Sequence, residues 1–143
     1  MNTKISKELK RYNYLFGETG ATYHELYRSL GYSDSAISIL YVLLENGGSC
    51  LLQKICSYTG LSKQTINSAL RKLEQDDVLY LEMAGSKNKM VHLTEKGMEL
   101  ADRTAGQVIQ IENDIFASWP QETVEQYLDL TEKYLIALKE RLK

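Results

Sequence analysis

The sequence predicts a mainly α-helical domain, a winged helix-turn-helix of about six helices plus one small β-hairpin. Three observations predict it. Apolar residues recur at spacings of three and four over most of the chain, and only one proline, Pro120, interrupts it. Two short helical segments meet across a tight turn at Thr59-Gly60, the pattern of a helix-turn-helix. Two runs enriched in β-branched and aromatic residues, "VLYLEM" and "KMVHL", then surround the turn formers Gly85, Ser86 and Asn88, which reads as a hairpin.

The first helix is expected from about Thr3 to Leu30, with Ile5, Leu9, Tyr12, Leu15, Phe16, Tyr23, Leu26, Tyr27 and Leu30 on one broad face and a bend or break at Gly17 and Gly20. The second opens at "YSDSAISIL", where Ser33 can cap the free amides, Asp34 suits the positive helix end and Tyr32 can staple onto Ile37. It should stop at "NGG", Asn46 to Gly48. A short helix from about Leu51 to Tyr58 follows, and Ser62 caps another from Lys63 to about Gln75. After the hairpin, Thr94 can cap one long helix from Glu95 to about Ala117, and Pro120 starts the last, which carries a stripe of Val124, Tyr127, Leu128, Thr131, Tyr134, Leu135, Leu138 and Leu142.

At 143 residues, with 43% hydrophobic and 25% charged residues, the chain has the length and composition of one globular domain. No apolar run approaches the roughly 18 to 20 residues of a membrane span, and the polar start "MNTKISKELKR" lacks a secretory core, so a cytoplasmic protein is expected. Cys50 and Cys56 are too few to staple a fold and are expected as reduced thiols. The net charge of −2 hides an asymmetry. Between Leu51 and Lys96, seven cations face five acids, a local +2. Positive charge thus concentrates in the helix-turn-helix and hairpin, where a polyanion would be met.

In the helix from Ser62, Ile66, Ala69, Leu70 and Leu73 share one face and must pack inward. Lys63, Gln64, Thr65, Asn67, Ser68 and Arg71 point elsewhere. Gln and Asn can pair with adenine edges, Arg and Lys suit guanine, and hydroxyls reach bases or phosphates, so this face can read a major groove. Lys87 and Lys89, flanking Asn88, give the hairpin a basic tip suited to phosphates.

"CSYTGLSKQTINSALRKLEQDDVLYLE" followed by "VHLTEKG" resembles the MarR family of transcriptional regulators, and the likeness extends to "YSDSAISILYVLLENGG" and the long terminal helices. The resemblance implies a homodimer with intertwined first and last helices, a palindromic DNA operator, and commonly a ligand or oxidant that lowers DNA affinity. It implies one domain, residues 1–143, with dimerisation helices at 1–32 and 98–143 around a DNA-binding region at 33–97. By position, Ser62 to Ser68 and Arg71 correspond to the recognition helix, and Lys87 to Lys89 to the wing tip. Two departures stand out. Asp77-Val78-Leu79 replaces the family's usual Gly-Leu-Ile, and the wing's usual Asp-x-Arg is missing from a segment about two residues shorter. Lys lacks the planar fork of Arg, so phosphate contacts are expected from this wing.

Tyr12, Phe16, Tyr23, Tyr27 and Tyr41 are candidates for an aromatic ligand pocket, against a plain core role. Cys50 and Cys56 raise a redox-switch reading, against structural packing, with Cys56 at a position where a small residue is usually buried. No metal or other cofactor is expected, because His24 and His92 fall in distant segments; His24 reads as a surface partner of Glu25. Enzymatic chemistry is excluded, since no nucleophile and base, metal set or phosphate-cradling glycine loop has the required company. A winged-helix protein–protein module without DNA binding is the alternative class. The closing "LTEKG" is expected to touch nothing and simply to start the next helix.

Overall fold

The computed structural model describes residues 2–143. The chain forms two compact units, Met1–Gly106 and Gln107–Lys143.

In the first unit, α1 (Lys7–Ser29) is capped by Ser6, whose Oγ accepts the Leu9 N–H at 3.0 Å. This helix is one unbroken element, so of the bend or break expected at Gly17 and Gly20 the break does not occur. A side chain at either glycine would meet nothing within 4 Å. Each glycine costs only about 1 kcal/mol relative to Ala in a helix interior, too little to interrupt 23 residues of otherwise helix-compatible sequence. His24 does not pair with Glu25 but with Asp34, at 2.9 Å, joining α1 to the start of α2 (Asp34–Glu45).

Ser33 caps α2 through the Ala36 N–H, as its position predicts. Ile37, Ile39, Leu40 and Leu43 are fully buried, so α2 lies at the centre of this unit. Its end is closed by Gly47 and Gly48, both at positive φ, with Gly48 N–H donating to the Leu43 carbonyl at 2.7 Å. The chain then forms β1 (Ser49–Leu51), a three-residue strand unforeseen in the sequence, followed by α3 (Leu52–Thr59) and α4 (Lys63–Gln75). Gly60 ends α3 in the left-handed region, at φ 67°, which makes the tight turn.

The hairpin is β2 (Leu79–Ala84) and β3 (Asn88–Leu93). The sheet order is β1-β3-β2, antiparallel throughout, with Ser49 opposite His92 and Leu79 opposite Leu93. Ile39, Leu40 and Leu43 of α2 pack with Ile55 of α3, Ile66, Leu70 and Leu73 of α4, and Leu79 and Val91 of the sheet. Fully burying such side chains stabilises by about 1.5–3 kcal/mol each, which fixes α4 and the hairpin to one support.

Helices α5 (Glu95–Arg103) and α6 (Ala105–Ala117) replace the single helix expected from Glu95 to Ala117, so the described residues form seven helices, not six. The break lies at Thr104, buried at φ −112° and ψ −83°, where its hydroxyl donates to the Leu100 carbonyl at 2.8 Å. The departure from helical backbone is confined to this one residue, which apolar periodicity does not register.

In the second unit, Pro120 takes the N-cap position of α7 (Gln121–Arg141). Phe116, Trp119 and Tyr127 form an aromatic cluster with ring centroids 5.6–6.2 Å apart, which holds the α6–α7 corner together.

A candidate nucleic-acid interface

Helix α4 is amphipathic in the sense its sequence predicts. Ile66, Leu70 and Leu73 are buried and Ala69 packs against them. Ser62, Lys63, Gln64, Thr65, Ser68 and Arg71 are exposed, and Asn67 is half-buried. The helix begins at the cap Ser62, whose Oγ accepts the Thr65 N–H at 3.1 Å and donates to the Thr65 hydroxyl at 2.8 Å. Ser62 is thus largely committed to the cap, while the Thr65 proton is left free to donate outward.

Two grooves flank this helix. One, of about 490 Å³, runs between α3, α4 and the hairpin, and brings Lys63 and Asn67 together with Lys87, Asn88 and Lys89. The other, of about 560 Å³, lies between α4 and the start of α2, and takes Gln64, Thr65 and Ser68 together with Tyr32 and Lys72. Ser62 and Arg71 line neither. The other predicted readers are therefore divided between two edges of one helix, with one edge continuous with the basic hairpin.

The hairpin turn is Gly85-Ser86-Lys87, with Gly85 at φ 86°. Asn88 and Lys89 are not at its tip; they already belong to β3, opposite Ala84 and Met83. Alternation along the strand puts Lys89 on the same face as buried Val91, which turns it toward α4. A cross-strand ladder braces the hairpin's base. His92 Nδ1 meets Ser49 Oγ at 2.7 Å, Nε2 meets Glu82 Oε1 at 3.0 Å, and the ring stacks on Tyr80 at 4.9 Å. These partners are opposite or diagonal to His92 across the sheet, so only the register, not the sequence spacing, could have found them.

Cys50 is buried in β1 against the core. Cys56, expected at a buried position, is half-buried: it packs against the core and lines the groove beside Lys63 and the hairpin. Burial pushes the Cys50 thiol above its ordinary value, opposed in smaller measure by the nearby Lys54 cation. Of the aromatic candidates, Tyr12 stacks on Phe16 at 5.7 Å and Tyr23 packs on Tyr27 at 5.9 Å along α1, while Tyr41 packs against the core from α2.

"LTEKG" also does more than begin a helix. Thr94 Oγ1 accepts the Gly97 N–H at 2.9 Å as the cap of α5, and donates to the Asp77 carbonyl at 2.6 Å. Lys96 Nζ donates to the Asp76 carbonyl at 2.8 Å. The motif touches the end of α4, correcting the expectation that it touches nothing.

A two-helix turn with a polar second helix, joined to a basic antiparallel hairpin on the same core, defines a winged helix-turn-helix protein. The model of the MarR family of winged-helix transcriptional regulators matches residues 30–86, which hold α2 to the hairpin turn, so this part of the chain is similar to that family. No curated protein matches it. Among solved structures, it is similar to NMB1585, a MarR family regulator from Neisseria meningitidis, at 17% identity over 94% of this chain and 96% of that one, with a TM-score of 0.79. The S. aureus MepR–DNA complex is similar at 16% identity over 94% and 99%, TM-score 0.70. NadR in complex with 4-hydroxyphenylacetate is similar at 15% identity over 94% and 96%, TM-score 0.72. At these identities the likeness establishes the shared fold.

Proposed function

We propose that this protein is a regulator of the MarR type, a dimeric repressor that reads a palindromic operator with α4 and anchors on it through the wing. The observation that carries the reading is the continuous groove in which Lys63 and Asn67 of α4 face Lys87, Asn88 and Lys89 of the hairpin. Lys63, Gln64, Thr65, Asn67 and Ser68 contact bases from the first half of the helix, where a recognition helix enters the major groove. Arg71 holds a phosphate or an adjacent base. Ser62 contributes chiefly by fixing the helix start, and the wing lysines neutralise phosphates. That the MepR relative is described bound to DNA supports the same use of the fold.

Two-fold symmetry places a second α4 on the adjacent half-site, and the exposed apolar residues of α1 and α7 support such a dimer. A small aromatic effector seated by Tyr12, Phe16, Tyr23, Tyr27 and Tyr41 lowers DNA affinity, a reading supported by the 4-hydroxyphenylacetate bound to the NadR relative. The test is a fluorescence-polarisation titration with the duplex flanking the protein's own gene, at two salt concentrations. Tight binding that weakens steeply with salt is expected, because each neutralised phosphate releases counterions. Equal affinity for any duplex, or none at low salt, would favour the protein–protein module instead.

Cys56 favours one further mode of control. A bulky or charged adduct on this thiol would occupy the groove beside Lys63 and the wing, and so compete with DNA. Iodoacetamide should abolish operator binding in the native protein and leave Cys56→Ser unaffected; equal inhibition of both would exclude control at this thiol.

A further inference from the structure

The last turn of α4 ends with two capping bonds. Asp77 N–H donates to the Glu74 carbonyl at 3.0 Å and Val78 N–H to the Leu73 carbonyl at 2.9 Å, with Asp77 in the left-handed region at φ 61°. These are the paired bonds of a Schellman end. They leave the carbonyls of Asp76, Asp77 and Val78 pointing onward, and the first turn of α5 takes all three. Lys96 Nζ donates to Asp76 O at 2.8 Å, Thr94 Oγ1 to Asp77 O at 2.6 Å, and Thr94 N–H to Val78 O at 3.0 Å. Gly97 lets the two turns approach, since a Cβ there would lie 1.8 Å from Val78 O.

We propose that Thr94 and Lys96 are positioning residues for DNA reading: they set the pitch of α4 by gripping, from the first turn of α5, the three carbonyls of its C-terminal cap, Asp76 to Val78. This rests on α4 being the reading helix. The chemistry suits a positioning role. The C-terminal carbonyls of a helix carry partial negative charge, so the Lys96 ammonium is attracted there, and the Thr94 hydroxyl joins both turns by donating to one while accepting from the other. A helix held only by its apolar face can roll about its axis; one also gripped at its end cannot roll without breaking charge-assisted bonds. A small roll would separate Lys63 and Asn67 from the base edges while leaving the basic surface intact. The grip therefore acts on sequence preference more than on electrostatic attraction.

The test uses the full-length protein, a duplex selected by it from a random pool, and a scrambled duplex of the same composition. Lys96→Met and Thr94→Val should lower the ratio of selected to scrambled affinity about tenfold, comparable to the loss of one matched base pair. Affinity for the scrambled duplex and the salt slope should stay unchanged, because the slope counts phosphate contacts. Lys96→Arg and Thr94→Ser should restore the ratio, and Lys96→Met changes only an exposed side chain, so its fold is secure if Thr94→Val proves unstable. Amide chemical shifts over Lys63–Val78 should move in both disrupting variants. Unmoved shifts, or moved shifts with an unchanged ratio, would overturn the proposal. A salt slope lowered by about one in Lys96→Met would overturn it too, by making Lys96 a phosphate contact. Failure of the wild-type protein to enrich any duplex would instead defeat the DNA-reading function itself, and the positioning role with it.

Discussion

Asp77 carries the single positive φ among the described residues that are not glycine, at 61°. Left-handed backbone is disfavoured for side chains with a Cβ, although Asp tolerates it better than most. Its carbonyl is held by Thr94, so the surrounding turn maintains a conformation that Asp alone would resist. Asp77→Gly should therefore raise stability by about 0.5–1 kcal/mol, read from the urea midpoint. A lower midpoint would show that the carboxylate contributes more than the backbone strain costs. Gly97 behaves oppositely: Gly97→Ala drives a methyl into Val78 O and should destabilise by about 1–3 kcal/mol. Cys50 adds a pH dependence. Its thiol is raised by burial, so the unfolded chain loses that proton first as pH increases. Stability is intact below the ordinary thiol range, about pH 8.5, and declines as pH climbs from there through the raised value. Urea midpoints at pH 8 and pH 10 should differ more for the wild type than for Cys50→Ala; equal differences would remove the thiol as the cause.

Elements bounded by local chemistry were legible in the sequence. Ser33, Ser62 and Thr94 are short polar residues directly before apolar periodicity, and each caps the helix assigned to it. The buried face of α4 followed from spacing alone. What escaped depends on distant partners. β1 has three residues and exists only through its register with β3, so no local pattern marks it. The Thr104 break is a change of backbone conformation at one residue within an otherwise continuous apolar repeat. At the site, the polar residues of α4 were readable, but their division between two grooves was not, because each groove's other wall comes from a segment distant in sequence or from the hairpin. The hairpin shows the same limit: Lys89 was assigned to the tip and lies in the strand, facing α4. Its proposed role yields an element-scale prediction. Lys87→Ala and Lys89→Ala should each weaken binding uniformly across DNA sequences and reduce the salt slope by about one, whereas Arg71→Ala and Lys63→Ala on α4 should weaken binding with little loss of fold. A wing variant that changes sequence preference while leaving the slope intact would make the wing a reader.

For the molecule as a whole, the exposed apolar surface is what the proposed dimer would cover. Leu9, Tyr12, Leu15 and Phe16 of α1 are exposed, and so are Tyr127, Leu128, Tyr134, Leu135 and Leu138 of α7. On α7 Tyr127 and Tyr134, and Leu128 and Leu135, are seven residues apart, with Leu138 three beyond Leu135, the spacing of a helix-pairing seam, and exposed apolar stripes of this kind mark interfaces. Under the proposed dimer they are covered by a second copy. Replacing Leu128 and Leu135 together by Glu places charges in that seam, where desolvation without a partner is costly. Sedimentation should then show a dimer for the wild type at micromolar concentration and a monomer for the double variant. The monomer's helical circular dichroism should be largely retained, because both residues are exposed in the single chain. Operator affinity should fall by about 10²–10⁴-fold, the advantage that linking two half-site contacts confers. A double variant that remains dimeric would move the interface away from α7. A monomeric variant with undiminished operator affinity would show that one copy reads the DNA unaided, and the palindromic operator would fall with it.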